Sequence, residues 1–149
     1  MRLTSAAFEE GELIPKKYTC DGSNVNPPLT ISDAPAGTKS FVLILDDPDV
    51  PRHLHQAGIW DHWIVFNIPP ETKEITEAHE PLGTHGIGTS GNTNYFGPCP
   101  PDKEHRYFFK LYALDTLLTL PAKSTKQQIE KAMQNHVLAE TKLMGRYAH

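Results

Sequence analysis

The hydrophobic positions of this chain fall into short runs separated by turn-forming residues. Phe41–Leu45 is an uninterrupted apolar stretch, the pattern of a central strand buried on both faces. Trp63–Phe66 reads the same way and is closed by Asn67 and the Pro69-Pro70 pair. Tyr107–Leu114 alternates instead, with Phe109, Leu111 and Ala113 on one face and Phe108, Lys110 and Tyr112 on the other, which predicts a pleated strand with unlike faces. Leu3–Ala7 and Leu29–Ile31 are weaker strands. Gly83–Gly97 holds five glycines and reads as a loop. From Ala122 to Met144 the chain has neither Pro nor Gly, and Ile129, Ala132, Met133, His136 and Val137 recur at helical spacing. The spacing predicts a helix capped by Ser124 or Thr125 and stopped at Gly145, either continuous or broken near Asn135-His136.

Short strands followed by a terminal helix, without regular βαβ alternation, predict a mainly β antiparallel sandwich rather than a doubly wound parallel sheet. Proline supports this: 13 of 149 residues, about 9% against a typical ~5%, divide the first four-fifths of the chain into pieces too short for long helices. No repeat or linker divides residues 1–149, which read as one domain. A composition of 38% hydrophobic and 21% charged residues is that of a soluble globular protein. No apolar run is long enough to span a membrane, and the N-terminus lacks a signal pattern. A net charge of −4 with no basic stripe excludes a nucleic-acid partner of the usual kind. Two cysteines, Cys20 and Cys99, are too few for a disulfide scaffold or a four-cysteine zinc site, so a reducing cytoplasm is the expected location.

Polar chemistry concentrates at strand ends. Asp46-Asp47-Pro48-Asp49-Val50-Pro51 follows the first long strand, and Trp60-Asp61-His62 precedes the second. Gly97-Pro98-Cys99-Pro100-Pro101 leads to His105-Arg106-Tyr107 at the third. Each segment alone suits an ordinary turn or a half-buried histidine. Together they suggest a hollow with a carboxylate and two imidazoles, walled by Trp, Tyr and proline. A carboxylate favours protonated imidazole, and imidazolium with a tyrosine hydroxyl would donate to a phosphate or carboxylate.

Asp47-Pro48-Asp49-Val50-Pro51, Trp60-Asp61-His62-Trp63 and Asn67-Ile68-Pro69 resemble the first signature of the phosphatidylethanolamine-binding proteins, the family that includes Raf kinase inhibitor protein. Gly97-Pro98-Cys99-Pro100-Pro101 with His105-Arg106-Tyr107 resembles the second. Cys20-Asp21-Gly22, Pro27-Pro28-Leu29, His136–Ala139, Gly145 and Tyr147 resemble its shorter prokaryotic branch, so that the similarity runs from about Tyr18 onward. The resemblance implies a Greek-key β-sandwich with an anion pocket at one end, formed by Asp47, His62, His105 and Tyr107 and supported by Trp60, Asp49, Gly97 and Pro98. Two positions depart from the family pattern: Val50 stands where Ala is usual, and Lys103 where Gly is usual. The loop Arg52–Ile59 is longer than in close prokaryotic relatives. The resemblance also brings Cys20 and Cys99 toward one end of the fold, where oxidation could join them; in a cytoplasm they should stay reduced.

Three functions follow as expectations. The first is a non-catalytic protein binding a small anionic or phosphorylated ligand, with no cofactor. The second is an interaction protein acting on a kinase or protease through its rim loops, Arg52–Ile59 and Gly83–Tyr95. The third is an enzyme, using either zinc on His53, His55, His62 and Asp47 or a Cys99 thiol paired with His105. It ranks last because loop histidines are common and because Pro98 and Pro100 offer no backbone donors for an oxyanion.

Overall fold

The computed structural model describes residues 1–149. Its elements run β1 (Arg2–Thr4), β2 (Leu29–Ser32), β3 (Ser40–Asp47), β4 (Trp60–Ile68), β5 (Glu74–Ile75), β6 (Thr84–His85), β7 (His105–Leu114), α1 (Lys126–Met133) and β8 (Val137–Tyr147). All strand pairs are antiparallel and form two sheets, ordered β1-β2-β5 and β6-β4-β3-β7-β8. Strand β7 returns to lie beside β3 rather than β4, a non-sequential order of the Greek-key type.

The apolar run of β3 is explained by its central place. Phe41, Leu43 and Leu45 face the small sheet in a cluster that includes Leu3, Leu29, Ile31, Ile75, Trp63 and Phe109. Val42 and Ile44 face the other way, packing with Ile64, Phe66, Ile129 and Met133 of the helix that covers the outer face. All eight residues of β3 are therefore buried. On β7 the alternation read from the sequence is present, with Phe109, Leu111 and Ala113 fully buried on the inner face.

The end of the chain differs from the expected helix. Thr125 does cap α1, accepting from the Gln128 backbone while the Gln128 side chain accepts from Thr125 N–H. The helix stops at Met133, Asn135 turns left-handed at φ 68°, and an 11-residue strand follows. The reason is an open edge. β7 needs a partner on the side away from β3, and β8 pairs with it from His105↔Tyr147 to Leu114↔Val137. Ladder hydrogen bonds and the burial of Leu143 and Tyr147 outweigh the intrinsic helix preference of Ala139-Glu140 and Lys142–Met144. Gly145 is not a helix stop. It sits in mid-strand, where a Cβ would meet the Ile14 side chain at 2.5 Å and that of Phe8 at 2.8 Å.

Candidate functional site

The strand ends carry the chemistry, but as part of the strands. β3 extends to Asp47, β4 begins at Trp60, and β7 begins at His105, so Asp47, His62, His105 and Tyr107 stand on paired backbone rather than on loops. The decisive local feature is a bulge. Leu45 pairs with Trp63 and Asp46 with Asp61, leaving His62 as the extra residue of β4. Strict alternation would send His62 to the helix side with Ile64. The bulge lets it stand with inward-facing Trp63, its ring edge-on to Tyr107 at 5.5 Å between centroids. Tyr107 lies 6.4 Å from His105, two residues earlier on the same strand face.

Asp47 is fully engaged. One oxygen accepts from the Asp49 backbone at 2.8 Å, holding the Pro48 turn, and the other lies 2.6 Å from His105 Nδ1. The second nitrogen of His105 lies 2.6 Å from Asp102. Burial opposes a charge on His105, yet the carboxylates of Asp47 and Asp102 outweigh it and hold the ring above its ordinary pKa. His62 behaves oppositely. Burial is the largest influence and pushes its pKa down, against the pull of the Phe96 carbonyl and of Asp47. The neutral ring donates from Nδ1 to Phe96 O at 2.8 Å, which leaves the lone pair on Nε2. Burial, and then the charge of Asp47, raise the Tyr107 pKa, so its hydroxyl stays protonated. That hydroxyl is buried without a hydrogen-bond partner and faces Asp47 and the Cys99 backbone. The two imidazoles therefore differ, His105 pushed toward the charged form that a neighbouring carboxylate was expected to favour and His62 toward the neutral form. His105 is held at both nitrogens by carboxylates, whereas His62 bonds only to a backbone carbonyl.

Beside this cluster lies a hollow of about 430 Å³ lined by Asp47, Val50, Leu54, Trp60, His62, Ser90, Phe96, Cys99 and Pro101. Five of the nine are hydrophobic, so polar groups meet a ligand only at the Asp47–His62 end and at Ser90. His105 and Tyr107 are wholly buried behind that wall. Asp49 is turned away to a bidentate pair with Arg106 and also accepts from the Arg106 backbone, tying the Pro48 turn to β7. Gly97 and Pro98 are supports. A Cβ on Gly97 would collide with the Tyr18 carbonyl, and Pro98 O accepts from Cys20 N at 3.1 Å. Lys103 resolves no contact with the hollow; its neighbour Asp102 is the residue that reaches His105.

Leu54 and Ser90 fall in the rim loops Arg52–Ile59 and Gly83–Tyr95 expected from the sequence, whereas Phe96 escaped sequence reasoning. The Gly83–Gly97 segment contains the short strand β6 and is held by Asn92 on His62 O and by Tyr95 on Tyr18 O, which carries Ser90 and Phe96 to the rim. The only signal for Phe96 was its place beside Gly97 in sequence. The imagined zinc set is not assembled: His55 packs edge-on against Trp60, and His62 is bonded to Phe96 O. The one group of three ligand-type side chains with donor atoms within 4.8 Å of one another is Cys20, Cys99 and His149. Cys99 is no thiol nucleophile either, because it is joined to Cys20 in a disulfide.

Comparison with known proteins agrees with this architecture. A Chlamydia muridarum protein of the UPF0098 group is 47% identical over 99% of this chain and 98% of its own length. One from Methanothermobacter thermautotrophicus is 44% identical with the same coverage of both. A Chlamydia trachomatis crystal structure, described as a putative phosphatidylethanolamine-binding protein homologue, superposes with a TM-score of 0.96 at 46% identity over 99% of this chain and 96% of that one. Escherichia coli YbcL, described as a new member of the mammalian family, gives 0.88 at 29% identity over 99% and 98%. The sequence profile named phosphatidylethanolamine-binding protein matches residues 4–148, further toward the N-terminus than the motifs alone had suggested, and the chain belongs to that family.

Proposed function

We propose that residues 1–149 act as one non-catalytic binding unit whose hollow takes a small anionic group, with a phosphate monoester as the best fit. The observation that carries this reading is the hollow's polar end, which Asp47 and His62 line and behind which the buried, protonated Tyr107 hydroxyl lies without a hydrogen-bond partner. A buried donor without a partner costs about 1–3 kcal/mol, which an accepting ligand oxygen would recover. A singly protonated phosphate suits the rest of the site. It could accept from Tyr107 and donate to the lone pair of His62 Nε2, with the His105 charge behind. The apolar walls at Val50, Leu54, Trp60 and Phe96 would take the ester's organic part.

The absence of turnover is supported by the commitments of the reactive groups. His105 is held at both nitrogens, and the Ser90 hydroxyl donates to Asn92 rather than to a base. Asp102 is the ligand's natural competitor, a carboxylate already resting on His105. Titration calorimetry with phosphate and phosphoethanolamine tests the reading. Tyr107→Phe should weaken binding about tenfold, the scale of one hydrogen bond, whereas Asp102→Asn should strengthen it severalfold. Equal affinity of wild type and Tyr107→Phe would reject it.

A second reading, an interaction protein acting on a kinase or protease, rests on Leu54 and Ile59, which are 56% and 39% exposed in the rim loop. Replacing Ile59, which does not line the hollow, by Ser should weaken partner binding and leave phosphate binding intact if this reading holds. No helix is long and apolar enough to cross a membrane. A cytoplasmic location carries the expectation that the Cys20–Cys99 bridge opens there.

A further inference from the structure

At the edge of the hollow, three parts of the chain meet. Cys20 lies in the turn after Tyr18, Cys99 in the Gly97–Pro101 loop, and His149 beyond the end of β8. A sulfur from each cysteine and a ring nitrogen of His149 lie within 4.8 Å of one another. We propose that this cluster, once its disulfide is reduced, is a three-ligand site for a thiophilic divalent cation such as zinc. This is separate from the phosphate reading and does not depend on it.

The geometry supports the assignment in three ways. First, the two cysteines are held together by more than their own bond. Cys20 N donates to Pro98 O at 3.1 Å, Gly97 N to Asn24 Oδ1 at 2.8 Å, and Tyr95 Oη to Tyr18 O at 2.6 Å. With Cα atoms 5.5 Å apart, the sulfurs need only separate to roughly 3.5–4 Å, the spacing two thiolates have around one tetrahedral zinc. Second, His149 is already oriented. Its Nδ1 lies 2.7 Å from Asp21 Oδ2, the outer carboxylate contact that metal-ligating histidines usually have. Asp21 is in turn fixed by the Tyr147 hydroxyl, which donates to the same carboxylate oxygen. The other ring nitrogen, now 2.8 Å from Pro100 O, would exchange that carbonyl for the metal. Third, Cys99 and His149 are exposed and Cys20 is half-buried, so reductant and ion can both reach the site.

The chemistry balances. Two equivalents of a thiol reductant give up two electrons and two protons to the disulfide and become one disulfide of their own, leaving Cys20 and Cys99 as thiols. The cation then displaces both thiol protons and binds two thiolates and one imidazole, with a fourth position open to solvent. Two sulfur ligands and a nitrogen select zinc over magnesium or calcium, which prefer oxygen.

The experiment is zinc titration against a chromophoric chelator, with the reductant removed under anaerobic conditions. Reduced wild type should bind one zinc per chain with release of two protons, and oxidised protein should bind none at that site. Cobalt in place of zinc should give the charge-transfer absorption of thiolate ligation. His149→Ala should weaken zinc binding at least tenfold, and Cys20→Ser/Cys99→Ser should abolish it; because His149 is exposed, its variant remains informative if the double variant does not fold. Tyr107→Phe should bind zinc as wild type does. Zinc binding by reduced wild type no tighter than by the double variant would overturn the site. Unchanged binding by His149→Ala would overturn the three-ligand assignment.

Discussion

Asp46 and Asp47 are neighbours on β3 and equally buried, each 2% exposed, yet they serve opposite faces of the sheet. Asp46 points outward, where Lys110 lies 2.9 Å away and Lys126 3.3 Å; Lys126 also lies 2.7 Å from Asp61. This cluster fastens the first turn of α1 to the ends of β3 and β4. Its cations are lysines. The pKa of Lys126 stays raised because Asp61 and Asp46 outweigh the effect of burial. Asp47 points inward, and its counter-ion is a histidine. A lysine pair is permanent near neutral pH, whereas a histidine pair can be switched or displaced. The outer cluster is therefore a fixed fastening and the inner one a pH-responsive pair, although one dipeptide supplies both.

The contrast breaks most visibly at Asp46. Asp46→Ala removes the buried carboxylate between two lysines and should cost roughly 3 kcal/mol in urea unfolding, with little dependence on pH near neutrality. A loss below about 1 kcal/mol would mean that the outer cluster is not a fastening.

The inner cluster should instead show its histidines in the pH dependence, at about 1.4 kcal/mol for each unit by which a pKa is displaced. The folded pKa of His105 is raised, so its stabilisation is complete below the ordinary imidazole value and is lost as pH rises through the raised one. The folded pKa of His62 is depressed, so its contribution runs the other way, present above the ordinary value and lost as pH falls through the depressed one. His105→Gln should flatten the alkaline side of the stability profile, and His62→Gln the acid side. Identical profiles for both variants and wild type would remove the distinction between the faces.

The smallest effect belongs to the solvent-exposed Asp49–Arg106 pair at the inner rim. Arg106→Ala should cost less than about 1 kcal/mol, and less still in high salt, because Asp49 keeps its bond to the backbone at that position. Thermal melts at two ionic strengths would show it.

How much of this was readable beforehand follows from the range of each interaction. The long strands were legible because burial on both faces leaves a continuous apolar run at Phe41–Leu45, and burial on one face leaves an alternating one at Phe109–Ala113. The helix start was legible to within one residue, Ser124 or Thr125, because capping is a contact within one turn, here between Thr125 and Gln128. The two-residue strands β5 and β6 left no trace, since so short a pairing imposes no period. Val137–Tyr147 was misread because its residues are locally good helix formers and its partner strand lies some thirty residues away, at His105–Leu114. The site divided in the same way. Asp47, His62, His105 and Tyr107 could be named from motif resemblance, and the fold brings them together. The bulge that turns His62 inward, the Asp102 carboxylate on His105 and the depressed pKa of His62 could not be named.

The amino-acid sequence by itself determined the mainly β class, the central strand, the helix start and the identities of the polar groups at the strand ends, since these depend on burial periodicity, proline and contacts within one turn. Only the tertiary structure decided which face each aspartate serves, which imidazole its surroundings push toward the charged form, and that the tail closes a sheet edge. Register, burial and charge pairing between distant segments set those outcomes, and a linear pattern holds no record of them.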